Sequence, residues 1–405
     1  MKNFKTLSLI GLTSISLLLG GCFDSSSNKE PEVVFDNVNK EEGSNTGTDD
    51  NQKENILAVI QSVDTSGMVE FTNGIDKVLS GLNETTATDY TVFTNGNFYY
   101  HLGKFQIDTI QKYHIDSPAK GYYSNNGFSL RSVGDTDSAN PYNMVFLNDS
   151  QAIITRYGAT SAWVVNLDAQ NADDFLIQEL DLSDHATIDS IPEMDMVFLH
   201  DGKAFITLQN LTDWNSTGNE KVVVFNTSTW EEIDTDLSKD GTQSISLNLS
   251  NHQTGTQVGN KLYLGTIVYP DWGSTDPVTG GIEVVNLDNY SVEVITEDIG
   301  INILTSTNSG KVFFTSYEAW QENTLYKLNS DKSYSQVSSE LEGKNISSLS
   351  AINEELWLGY SDNGNFIMRI DANKDYSEPQ TLADIRLSLV EMALLPIKIA
   401  FFDKK

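Results

Sequence analysis

What most restricts the fold of this chain is a strand-and-turn unit that returns seven times. An apolar run closes on an acidic or amide turn residue at 59–64, 111–116, 164–168, 223–226, 284–288, 326–329 and 368–371. The turn residues, Asp64, Asp116, Asp168, Asn226, Asp288, Asn329 and Asp371, lie 41 to 62 residues apart, the length of four short strands with turns. Upstream of each of the last six copies stands a second unit, a turn followed by an apolar strand, at 96–100, 150–154, 202–206, 259–263, 310–314 and 354–358. The first copy has no such partner before it. A matching half occurs at the far end, where 391–395 followed by 397–401 parallels 193–198 followed by 203–206.

Runs rich in Val, Ile, Phe, Tyr and Thr, with no long stretch of helical periodicity, make the chain all-β. The sharing of one sheet between the two chain ends predicts a seven-bladed β-propeller, with inner strands of the last blade from the C-terminus and outer strands from the N-terminus. Six blades is the nearer alternative, and a pair of β-sandwiches or a solenoid the more distant one. The segment 282–295, Ile-Glu-Val-Val-Asn-Leu-Asp-Asn-Tyr-Ser-Val-Glu-Val-Ile, resembles the YVTN type of propeller repeat. That resemblance extends over about residues 56–401 at the level of the repeat, and it implies a fold rather than an activity.

The first residues carry Lys2 and Lys5, and an apolar run over 7–19 follows, too short to span a membrane comfortably. It ends in Leu19-Gly20-Gly21-Cys22, which resembles the lipobox of bacterial lipoproteins. The expectation is a signal peptide over 1–21, a lipid-bearing Cys22 with a flexible polar linker over 22–55, and the propeller over 56–405. An ordinary cleaved signal with an incidental thiol is the alternative. Phe23-Asp24 is not the usual inner-membrane retention pair, which favours the outer membrane. Cys22 is the only cysteine, so a disulfide framework, a Cys-rich zinc site and a dithiol redox pair are excluded. With 57 acids against 25 Lys and Arg, the net charge of −32 excludes nucleic acid as a partner. The lipid anchor and propeller together look like exported lipoproteins that capture cobalamin or siderophores for a TonB-dependent transporter. The resemblance therefore implies a membrane contact through Cys22 and an outer-membrane transporter or another protein as partner.

In a four-stranded up-and-down blade the b–c loops and d–a connections share one face. The b–c loops of blades 3, 4 and 5 are the long ones, and each combines an acid with a tryptophan. They offer Trp214, Trp272 and Trp320 as stacking platforms, flanked by Tyr269 and Tyr317, with Asp213, Asp271, Asp276 and Glu318 as acceptors for a hydroxyl, an amine or a cation. The bland alternative is that each indole plugs its own loop. His185 and His252, with Asp184, fall in d–a connections of the same face and suit a metal or a proton transfer, or are simply surface histidines. Asp135, Thr136, Asp137 and Asn140 have the alternating oxygens of a Ca²⁺ loop but lack its glycine and terminal glutamate, so a solvated turn competes with it. No other cofactor is expected. Arg156 is a candidate for a ligand carboxylate or for ordinary pairing.

No phosphate loop, dinucleotide fingerprint, zinc helix or complete nucleophile elbow is present in the sequence. Two readings follow. The first is a lipid-anchored binding protein with no catalytic residues, capturing a small molecule or docking a partner at this face. The second is an exported propeller enzyme, a hydrolase, lyase or quinoprotein, that gathers His185, His252 and acids from several blades.

Overall fold

The computed structural model describes residues 56–124, 126–187, 189–212, 215–270 and 278–402. Within them seven antiparallel sheets form a ring, so the expected all-β, seven-bladed propeller is the fold. Strands are lettered a to d from the axis outwards. For blades 1 to 7 the a strands are Tyr90–Asn95, Pro141–Asn148, Met194–His200, His252–Val258, Ile301–Ser306, Asn345–Ile352 and Leu395–Phe401. The corresponding b strands are Phe98–Gly103, Gln151–Arg156, Lys203–Leu208, Lys261–Thr266, Val312–Ser316, Glu355–Ser361 and Ala58–Val63.

The middle strands are covered on both faces by neighbouring blades, which is why they read as continuous apolar runs rather than alternating ones. Residues 152–156 and 222–225 are buried without a break. The cores lie between successive blades: Ile153, Val164, Ile206 and Val223 join blades 2 and 3, and Trp357, Ile367, Ile60 and Ile399 join blades 6 and 7. Each such side chain contributes about 1.5–3 kcal/mol by leaving water, so the ring is held by many similar joints.

Blade 7 closes the ring by pairing the two chain ends. Ala58 faces Phe401, Ile60 faces Ile399, Gln61 faces Lys398 and Val63 faces Leu395, with a register shift between Gln61 and Ser62. The division of strands differs from the sequence expectation. Only Leu395–Phe401 comes from the C-terminus, while Ala58–Val63, Gly67–Thr72 and Lys77–Thr85 supply the other three strands. Arg386–Met392, expected in part as an inner strand of the closing blade, is the outer strand of blade 6 and pairs with Asn365–Asp371. Residues 58–63 therefore form a second strand, not a third, and Asp64 sits in a b–c turn.

Four of the recurring turns are capped by an Asx side chain, in two of them from a position two residues earlier than the turn residue of the repeat. Asn226 Oδ1 accepts the Ser228 amide at 2.8 Å, and Asp371 Oδ1 accepts that of Asn373 at 2.8 Å. In blades 2 and 4 the cap is instead Asn166 or Asn286, which accept the amides of Asp168 at 3.0 Å and Asp288 at 2.9 Å. Asp168 and Asp288 are thereby freed to hold Lys112 and His200.

Along the axis the a strands enclose a cavity of about 330 Å³, lined by Thr91, Asn143, Met196, Thr254, Asn302, Ser348 and Lys398, one from each blade among others. The N-terminal ends of the a strands, the b–c loops and the d–a connections meet at one face of the ring. Because Ala58 pairs with the last residue of its inner strand, the chain enters the propeller from the opposite face.

Candidate functional site

Three neighbouring b–c loops rise from this face on hydrogen-bonded stems. In blade 3, Leu211–Thr212 pairs with Asn215–Ser216, and the base is fixed by the Leu211 amide on Glu193 Oε2 at 2.9 Å and by Thr217 Oγ1 on Asn210 O at 2.7 Å. In blade 4, Val268 and Thr279 exchange both backbone bonds, at 2.7 and 3.1 Å. In blade 5, Ala319 and Glu322 form a bridge beneath a tight turn, with Gln321 in the left-handed region at φ 63°.

At the tip of the blade 5 loop Trp320 is 80% exposed. Tyr269, half exposed, meets Tyr317 edge to face with ring centroids 5.4 Å apart. Burial, and then Tyr317, raises the Tyr269 phenol above its ordinary value. The Glu318 carboxylate accepts Ser316 Oγ at 2.9 Å. An indole held in water at the end of a hairpin exposes apolar surface that a contact would cover. Asp213, Trp214, Asp271, Trp272 and Asp276 lie outside the described residues, as does Cys22.

Beneath the loops lies a buried polar cluster. Asp195, on the blade 3 inner strand, and His252, first residue of the blade 4 inner strand, are both fully buried, with His252 Nε2 3.7 Å from Asp195 Oδ1. That separation is close for an ion pair but too long for a hydrogen bond. Burial pushes Asp195 up to about 7 and His252 down to about 4, so the imidazole is neutral at neutral pH and the carboxyl keeps its proton below it. The Asp195 carboxyl accepts from Thr207 Oγ1, and Gln209 Nε2 bonds the His252 carbonyl at 2.6 Å. Tyr157 donates to Gln209 Oε1 at 2.7 Å. Glu193, less than a tenth exposed, is raised to about 8 by burial and then by Asp189. A general acid or base must reach the proton it transfers, and neither His252 nor Asp195 has surface from which to do so.

The other sequence candidates are placed apart. His185 bonds Glu232 Oε1 at 2.9 Å, a different partner from that of His252. Asp135 accepts the Ser132 amide at 3.1 Å and lies 3.6 Å from Arg156 Nη2. Arg156 itself is buried, stacked 4.1 Å from the Trp163 ring, with bonds to Leu130 O at 2.9 Å and Ser161 Oγ at 3.1 Å. These contacts occupy the guanidinium, so its role is structural. Among the described residues no three His, Cys, Asp or Glu side chains are grouped as a metal would need.

Sequence reasoning passed over Asp195, Glu193 and Lys398. The available signal was a lone charge inside an apolar strand, in Met194-Asp195-Met196-Val197 and Ile397-Lys398-Ile399.

No protein-family model matches this chain, and no curated protein does. Solved structures match it as a seven-bladed propeller. It is similar to 6-phosphogluconolactonase-like proteins of Bacteroides fragilis NCTC 9343, at 12% identity and a TM-score of 0.55 over 88% of this chain and 100% of that one. A second such protein, from Bacteroides uniformis ATCC 8492, matches at 11% identity and 0.55 over 85% and 99%. Kuenenia stuttgartiensis hydrazine synthase matches at 12% identity and 0.55 over 77% and 88%. These neighbours differ in chemistry, and at such identities the likeness establishes the fold alone.

Proposed function

We propose that this protein is a lipid-anchored binding protein of the bacterial cell envelope, held to the outer membrane through Cys22, which captures a small molecule on its b–c loop face for an outer-membrane transporter. The observation that carries this reading is the exposed Trp320 on the same loop as Tyr317, whose ring meets Tyr269 of the neighbouring loop edge to face, with backbone hydrogen bonds at the loop stems. The burial of His252 and Asp195 favours binding over the enzymatic alternative. The acids on these loops suit a neutral or cationic ligand better than an anionic one.

Titrating the full chain with cyanocobalamin and with cationic ferrioxamine B, read by tryptophan fluorescence, tests the proposal. Saturable quenching by one of them is expected. In Trp320→Ala it weakens about tenfold, the equivalent of roughly 1.4 kcal/mol of lost stacking. No saturable binding of either, or an unchanged affinity in the variant, overturns it.

A further inference from the structure

The axial cavity differs in charge from the rest of this acidic molecule. Among the described residues that line it there is no Asp or Glu, but there are two lysines, Lys104 and Lys398. Lys104, near the mouth, is neutralised by Asp89 at 2.6 Å. Lys398 is not neutralised. Its Nζ lies 5.5 Å from the centre of the Phe93 ring, and no acceptor among the described residues bonds it. Burial, and then the Lys104 ammonium, lower its pKa, as expected of a cation without a counter-charge. Lys398 is part-exposed, so its ammonium is open to the cavity rather than enclosed in the packed interior.

The fold sets this lysine in place. Pro396 has no amide hydrogen for the ladder, and its carbonyl accepts Ser347 Oγ at 2.7 Å and Ser348 Oγ at 2.9 Å from blade 6. The register of the closing strand shifts between the pairs Gln61–Lys398 and Ser62–Pro396. A bulge of this kind re-aims the side chains beside it. Two further groups on the same wall, the Asn143 amide and the Thr91 hydroxyl, make no side-chain hydrogen bond among the described residues. Phe93, Met196 and Leu349 give the cavity an apolar side. At about 330 Å³ it is at the small end of ligand sites.

We propose that the axial cavity binds a small organic carboxylate, with Lys398 as the counter-ion and Asn143 and Thr91 as donors to its oxygens. One free ammonium matches one negative charge, whereas a phosphate dianion asks for more cations or a forked guanidinium. This site is separate from the aromatic rim and does not depend on it.

Calorimetric titration of the full chain at constant ionic strength provides the test, with acetate, butyrate, inorganic phosphate and chloride as probes. The expected result is saturable binding of a carboxylate, weakened at least tenfold in Lys398→Met, retained in Lys398→Arg and unaffected by Trp320→Ala. Should Lys398→Met not fold, Asn143→Ala serves in its place, with a several-fold loss expected. No saturable binding of either carboxylate, equal affinity in Lys398→Met or in Asn143→Ala, or a preference for phosphate or chloride overturns the proposal.

Discussion

Replacing Asp195 by Asn makes the state of the buried cluster measurable. In the folded protein the Asp195 carboxyl is raised to about 7, against an ordinary value of 3.8 in the unfolded chain. An acid with a raised folded pKa keeps its proton in the native state where the unfolded state has released it, so stability falls as pH rises between the two values. The proton excess of the folded protein falls from close to one at pH 5 to about one half at pH 7, which at about 1.4 kcal/mol per proton and pH unit amounts to a loss of about 2 kcal/mol. Asp195→Asn cannot lose stability this way, yet it can still accept from Thr207 Oγ1. His252, held down to about 4, acts in the opposite sense, since stability is gained as pH rises from about 4 to 6.5. Glu193, raised to about 8, acts in the same sense as Asp195. Both remain in the variant, so they drop out of the comparison. Urea unfolding of the two proteins at pH 5 and pH 7.5, at one ionic strength, measures the difference. Asp195→Asn is expected to improve relative to the parent by about 2–3 kcal/mol between the two pH values. A difference that does not change with pH would show that Asp195 is ionised throughout, and the neutral buried pair would be refuted.

Arg156→Lys keeps the charge but loses the fork that reaches Leu130 and Ser161 and the stack on Trp163, so thermal unfolding should show a loss of about 3 kcal/mol. Gly281→Ala would set a Cβ 1.9 Å from the Thr296 carbonyl oxygen, and since that atom is backbone the blade 4 edge must move. A cost of about 3 kcal/mol in denaturant unfolding is expected, and a neutral result contradicts the close approach. Cys22→Ser should transfer the protein from the membrane pellet to the soluble fraction on ultracentrifugation, and retention in the pellet contradicts lipid anchoring.

Much of the ring was legible because the b and c strands of a propeller are buried on both sides and therefore stand out as apolar runs with Asx turns. The division of blade 7 was not legible from the same signal. An apolar strand that ends in an acidic turn looks alike whether it is second or third in its blade, and only the ladder from Ala58 to Phe401 distinguishes them. For the same reason Arg386–Met392 resembled an inner strand until its pairing with Asn365–Asp371 was visible. At the rim, Trp320 was legible as an aromatic residue in a polar loop, but the hairpin that holds it outward depends on backbone bonds such as Glu322 N to Ala319 O. Asp195 and His252 are far apart in sequence, and they meet because inner strands of adjacent blades start side by side. Their burial, which separates a structural pair from a catalytic one, has no local sequence signature.

Joining of the two chain ends in one sheet fixes which loops share a face, and a cross-link measures it directly. Val63 and Leu395, both part-exposed, are direct partners at the edge of the closing blade. Paired strand positions have the separation a disulfide needs. In Val63→Cys/Leu395→Cys, mild oxidation of the folded protein should give a single peptide pair linked between positions 63 and 395 by mass spectrometry, in near-complete yield. Full alkylation of both thiols with no linked peptide would contradict the closed ring, and with it the placement of the rim and the axial cavity.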